Sequence, residues 1–246
     1  MRPRDPAERG VLRDREVLKT HDSLDRLRTN SEEIGHEFLA GFEAVEKIDR
    51  PAVSCFGSAR ASERSRPYEV ARETARLFAE AGWAVVTGGG PGVMEAANRG
   101  CREGGGLSVG FGIELPHEQR MNDYIDLGLV FDHFYARKTM FVKAAEGFCV
   151  FPGGFGTADE LFESLTLIQT DKVLHFPVVL LGEAYWTPLL EWVRRSALAE
   201  GMVSAEDLAL LTLTDDPRVA LETVLDAFSP GDGAASPHEP HKHDAQ

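Results

Sequence analysis

The sequence predicts an α/β fold, a doubly wound parallel sheet with helices on both faces. Two observations carry that prediction. From Pro51 to Asp215, short apolar runs alternate with stretches of helical periodicity, and no linker interrupts them. Alternation of this kind implies a parallel sheet buried on both sides. Two of the apolar runs also end in glycine turns that open directly into helical patterns: Trp83–Thr87 runs into GGGPG at Gly88, and Phe148–Phe151 runs into PGGFGTADE at Pro152. In sheets of this class ligands bind at the carboxyl ends of strands.

The elements follow in order. Leu24, Leu27, Ile34, Phe38, Phe42 and Val45 recur at helical spacing, giving one long helix or two short ones broken near Gly35. Strands are expected at Val53–Phe56, Trp83–Thr87, Leu107–Phe111, Val130–Phe134, Phe148–Phe151 and Val178–Leu181, with a short one at Leu210–Thr212. Helices are expected at Tyr68–Ala81, Val93–Cys101, Lys138–Glu146, Thr157–Thr170, Trp186–Ala199 and Pro217–Phe228. The domain reading is disorder over 1–22, a helical extension over 23–48, one nucleotide-binding domain over 51–228 and a disordered tail over 229–246. His238, His241 and His243 in that tail offer at most weak metal binding.

Composition narrows the partners. The chain has 246 residues and a net charge of −14, with no visible basic footprint, which argues against nucleic acid. An anionic ligand would have to be captured by local groups and not by the overall field. No apolar run approaches membrane-span length and the N-terminus lacks a signal-peptide stretch, so the expectation is a cytoplasmic protein with no membrane partner. Cys55, Cys101 and Cys149 are few and widely spaced, and read as small core residues and not as a disulfide or metal framework.

The two glycine turns carry the chemistry. Glycines let backbone approach a ligand, and free N–H groups at a helix start attract an anion. Neither turn is a dinucleotide fingerprint or a Walker loop. Glu160, placed in the first turn of its helix, is a carboxylate beside an anion site; compensation of the helix dipole is the plainer account.

GGGPGVMEAANRG from Gly88, Arg137-Lys138 and PGGFGTADE from Pro152 together resemble the Lonely Guy (LOG) family, whose signature PGGxGTxxE is matched at every fixed position. FGSAR from Phe56 and LPHEQ from Leu115 resemble its longer bacterial branch. The resemblance implies a Rossmann-like fold and a homo-oligomeric phosphoribohydrolase. Such an enzyme cleaves a cytokinin (purine) riboside 5′-monophosphate to free base and ribose 5-phosphate, without metal or organic cofactor. It implies catalytic roles for Arg137 and Glu160. It implies substrate contacts from Gly89, Gly90, Gly92, Met94, Glu118, Lys138, Gly153, Gly154, Gly156, Thr157 and Thr166. For several of these a plainer role is available: a surface charge for Arg137 and Lys138, core packing for Met94 and Thr166, an exposed loop acid for Glu118. Met94, Phe111, Met121 and Met140 are the candidates for an apolar base pocket, and Ser58 stands at another strand end. Relatives are also labelled lysine decarboxylases; a pyridoxal enzyme needs a preorganised Schiff-base lysine, and the only His-Lys dipeptide, His241-Lys242, lies in the polar tail, so the sequence gives that label little support. Two further readings fit the same motifs: a general AMP/GMP nucleosidase, and a non-catalytic carrier of a nucleotide or phosphorylated cofactor. A carrier needs the turns but not Arg137 with Glu160.

Overall fold

Among the described residues seven strands form one parallel sheet in the order β4-β3-β2-β1-β5-β6-β7. The strands are β1 (Ala52–Phe56), β2 (Ala84–Thr87), β3 (Ser108–Ile113), β4 (Leu127–Phe131), β5 (Gly147–Val150), β6 (Val178–Leu181) and β7 (Leu211–Thr214). The helices are α1 (Leu24–Val45), α2 (Arg66–Glu80), α3 (Val93–Glu103), α4 (Phe134–Ala144), α5 (Phe155–Gln169), α6 (Glu183–Trp192), α7 (Ala205–Ala209) and α8 (Pro217–Phe228). The computed structural model describes residues 14, 17–18, 23–115, 120–170, 172 and 177–228. Glu118 and the histidines of the 229–246 tail lie outside them, as do most of residues 1–22 and all of that tail, where disorder is expected from the sequence.

The winding reverses between β1 and β5. From β1 the chain builds outward through β2, β3 and β4, then returns to the other side of β1 and builds through β5, β6 and β7. The loops leaving β1 and β5 therefore part to opposite sides, opening a crevice at their carboxyl ends. Central strands are apolar on both sides, so each face needs a cover. Alternate residues of β1 (Ala52 and Phe56 against Val53 and Cys55) feed two separate cores. One core is closed by α1, α4, α5 and α6, the other by α2, α3 and α8.

Several bounds differ from the sequence reading. α1 runs unbroken through Gly35, and at Gly41 it approaches α4 so closely that a Cβ there would sit 2.7 Å from Met140 Sδ. β4 lies three residues earlier than expected, and α4 begins at Phe134, not Lys138. The cause is a long-range cap. Glu37 of α1 accepts the amides of Asp132 (2.8 Å) and His133 (3.2 Å) and meets His133 Nδ1 at 3.0 Å. Asp14 Oδ2 accepts the Phe134 amide at 3.2 Å. These contacts satisfy amides at a helix start that local sequence leaves orphaned. α6 continues into a π-helical turn over Val193–Leu198, and the short α7 has no counterpart in the sequence reading. Cys55 and Cys149 are free, buried and aligned on adjacent strands, where the neighbouring thiol and burial push the Cys55 thiol well up.

Candidate active site

Three strand ends are tied together at the winding reversal. The Ser58 amide, just past β1, donates to Pro152 O past β5 at 3.0 Å, and Ser58 O accepts the Val93 amide at the start of α3 at 3.0 Å. Gly92 permits this contact. It has φ of +70°, and a Cβ there would lie 2.4 Å from Ser58 O. No other residue fits both the conformation and the space.

The two glycine turns then do different things. The turn after β2 faces inward. Asn122 Nδ2 donates to Gly89 O (3.2 Å), Gly90 O (3.0 Å) and Asn98 Oδ1 (2.9 Å), and the Thr87 hydroxyl donates to Asn98 Oδ1 at 2.7 Å. This buried polar network fixes the turn. The turn after β5 faces outward. Gly154 caps α5, and among the described residues no side chain caps the helix and the space beside Gly154 and Gly156 is open. Its first amides are available to a ligand.

A cleft of about 1110 Å³ lies over this junction. Its walls include Gly57, Ser58 and Arg60 after β1, Gly88 and Met94 after β2, Pro152 through Ala158 and Glu160 after β5, Arg137 and Phe141 on α4, and Tyr185 on α6. Thus Met94, Arg137, Gly153, Gly154, Gly156, Thr157 and Glu160 come together as lining residues. Gly89, Gly90 and Gly92 do not line the cleft; they shape its support. Lys138 turns away, with Nζ 3.0 Å from Asp159 Oδ2 and 2.8 Å from Glu163 Oε2, clamping α4 to α5. Thr166 is exposed further along α5 and donates to Phe162 O at 2.7 Å. Of the candidate base-pocket residues, Phe111 and Met140 are core, and Met121 packs beside Gly89 and Gly128.

Glu160 and Arg137 face each other, with Nη2 3.7 Å from Oε1 and both side chains largely buried. α5 starts at Phe155, so Glu160 is the sixth residue of the helix, not a first-turn acid. That position weakens the dipole-compensation account, because the effect falls off beyond the first turn. Burial raises its pKa from 4.5 to about 7, against the charges of Arg137 and Lys138 that lower it. A carboxyl poised near neutrality in a cleft is a mark of chemistry. Arg137 lies over the rings of Phe134 (5.0 Å) and Phe141 (5.4 Å), and its buried Nε has no hydrogen-bond partner among the described residues. Burial lowers its pKa, opposed by Glu160 and Asp159, though an arginine in a protein stays cationic. A fixed cation with a spare donor is therefore held against a carboxylate that titrates near pH 7.

Residues 94–224 match the family described as possible lysine decarboxylase. A Mycobacterium tuberculosis cytokinin riboside 5′-monophosphate phosphoribohydrolase is 32% identical over 162 residues, covering 62% of this chain and 82% of that protein. The chain belongs to the LOG family. Among solved structures, the molybdenum cofactor binding protein of Rippkaea orientalis covers 74% of this chain and 99% of its own, with a TM-score of 0.57 and 22% identity. A molybdenum cofactor (Moco) carrier protein of Chlamydomonas reinhardtii matches with a TM-score of 0.53 and 25% identity, over 73% of this chain and 98% of its own. These establish the shared Rossmann-like fold. Among the described residues no lysine lines the cleft.

The sequence reading gives no role to Arg60, which closes the FGSAR stretch, or to Tyr185, and both line the cleft. Arg60 stands two residues beyond Ser58, so the strand-end rule that picked the glycine turns would have found it. Tyr185 left no signal; it reaches the site from α6, where its hydroxyl donates to Gly153 O. Among the described residues no helix is long and apolar enough to cross a membrane, and no group of three or more His, Cys, Asp or Glu is placed to hold a metal.

Proposed function

We propose that this LOG-family chain hydrolyses the N-glycosidic bond of a purine riboside 5′-monophosphate, of the cytokinin type, to free base and ribose 5-phosphate. The observation that carries the reading is the buried Arg137–Glu160 pair beside the open amides of α5. The 5′-phosphate sits on the amides of Gly154, Gly156 and Thr157, with Gly153 and the Thr157 hydroxyl forming the inner wall. Arg137 binds the ribose hydroxyls or the phosphate edge through its spare Nε–H. As the C1′–N bond breaks, its electron pair leaves with the base, which takes up a proton. Positive charge grows on the ribose ring, and the ionised Glu160 stabilises it. Glu160 then accepts a proton from the water whose oxygen bonds to C1′. Met94 and Phe141 offer apolar surface to the base. Lys138 acts at one remove, by holding α4 against α5.

The working unit is proposed to be a homodimer or larger homo-oligomer. Phe134, Tyr135, Phe155 and Phe162 on α4 and α5 are exposed, Phe155 at 96%, beside the site. A second copy would cover them; light scattering during size exclusion tests this, and a fully active species near 27.0 kDa would contradict it. The activity itself is tested by a product assay with isopentenyladenosine monophosphate, AMP, GMP and CMP side by side. Preferential release of the prenylated base supports the cytokinin reading. Equal release from AMP and GMP points to a general nucleosidase, and tight binding without release to a carrier.

A further inference from the structure

Among the described residues three charged side chains line the cleft: Arg60, Arg137 and Glu160. Arg137 and Glu160 face one another, which leaves Arg60 as the uncommitted charge. Among the described residues no carboxylate pairs with its guanidinium, although the chain carries 40 acids against 26 lysines and arginines. Lys138, the cation expected from the sequence to assist at the site, is instead held by Asp159 and Glu163.

The loop carrying Arg60 is fixed against the outward glycine turn. Ser58 N donates to Pro152 O at 3.0 Å, and Ser58 Oγ accepts the Arg60 amide at 3.1 Å, so the backbone at Arg60 is set by the residue that joins the two strand ends. Further along, Ser65 donates to Ser62 O through both its amide (2.9 Å) and its hydroxyl (2.7 Å). Ser62 and Ser65 line the same cleft. The result is an arginine on a braced, serine-rich loop, opposite a helix start with open amides. We infer that Arg60 is the cation that takes the ligand's 5′-phosphate, closing on it from the β1 side while the α5 amides hold it from the β5 side. This rests on the reading that the cleft takes a phosphorylated riboside, which a hydrolase and a carrier share. A dianion needs more than a helix start, worth roughly half a charge. A guanidinium fork supplies the remainder with bidentate geometry. In a chain of net charge −14 such capture has to be local.

The test uses the full-length protein and its Arg60→Gln and Arg60→Lys variants. Arg60 is exposed, so thermal melts of the three should coincide. Calorimetric titration with ribose 5-phosphate is expected to show about 10- to 100-fold weaker binding for Arg60→Gln, the loss typical of one charge-assisted contact, and partial recovery for Arg60→Lys. With AMP the loss should fall on KM more than on kcat, and the preference for AMP over adenosine should shrink by a similar factor. Unaltered ribose 5-phosphate affinity in Arg60→Gln, or an equal loss with adenosine and AMP, would overturn the assignment. A wild-type protein that binds adenosine as tightly as AMP would instead overturn the phosphate reading of the cleft itself.

Discussion

Replacing Glu160 by glutamine should separate a stability effect from a catalytic one, both set by the same proton. The structure raises the Glu160 pKa from 4.5 to about 7 through burial. A shift of that size corresponds to about 3 kcal/mol at ~1.36 kcal/mol per pH unit. The sign follows from the direction. The folded protein holds this proton more tightly than the unfolded chain, so protonation stabilises. That contribution is complete below pH 4.5, declines as pH rises, and is lost once pH passes about 7. Glutamine keeps the shape but has nothing to ionise. Urea unfolding of both proteins from pH 4.5 to 8 should therefore show the wild type losing about 3 kcal/mol relative to the variant, with other carboxylates cancelling between them. Parallel curves, differing by less than about 1 kcal/mol across the range, would refute the claim that Glu160 is held protonated by its site. Activity should move the opposite way. The ionised form does the chemistry, so wild-type kcat/KM should rise with pH toward about 7 and then level, while the variant lacks that limb and turns over about 10²–10⁴-fold more slowly. A rate that falls above pH 7 would make Glu160 a general acid and contradict the mechanism.

Three further outcomes follow from the supports of the site. Gly92→Ala places a Cβ 2.4 Å from Ser58 O at a φ of +70°, so it should cost more than about 2 kcal/mol in urea unfolding and lower activity even in the folded fraction. Lys138→Met should leave the KM for a nucleoside monophosphate within about threefold of wild type while weakening stability by about 1 kcal/mol, since the ammonium braces helices and does not face the cleft. Glu37→Ala leaves the Asp132 and His133 amides and His133 Nδ1 without their acceptor, and should cost about 2–3 kcal/mol and reduce kcat through the displaced start of α4; a variant with wild-type melting and kcat would show that α1 merely rests on the domain.

Local patterns were legible where local physics decides. Val178–Leu181 and Pro217–Phe228 were read to the residue, because an apolar run bounded by a breaker and an amphipathic run opened by proline carry their own limits. The sequence also places Arg137, Glu160 and the PGGFGT turn at one site, and the structure brings them to one cleft. What stayed hidden depends on partners far along the chain. The start of α4 is set by Glu37, nearly a hundred residues earlier, so neither β4 nor α4 could be bounded from its own residues. The inward role of Gly89 and Gly90 is decided by Asn122, whose side chain takes their carbonyls. The commitment of Lys138 needs Asp159 and Glu163 on the facing helix. The start of α5 was misplaced because Gly154 caps it without any side-chain signal.

The central claim is that the cleft breaks a glycosidic bond and does not merely hold a nucleotide. The most direct measurement is product stoichiometry. Wild-type protein and Glu160→Gln are incubated separately with an excess of isopentenyladenosine monophosphate or AMP, and free base and ribose 5-phosphate are quantified together. The account predicts equal amounts of the two products, well beyond one per protomer, from the wild type, and a loss of both in the variant. Nucleotide recovered intact from a protein that binds it tightly, or equal product from both preparations, would contradict it.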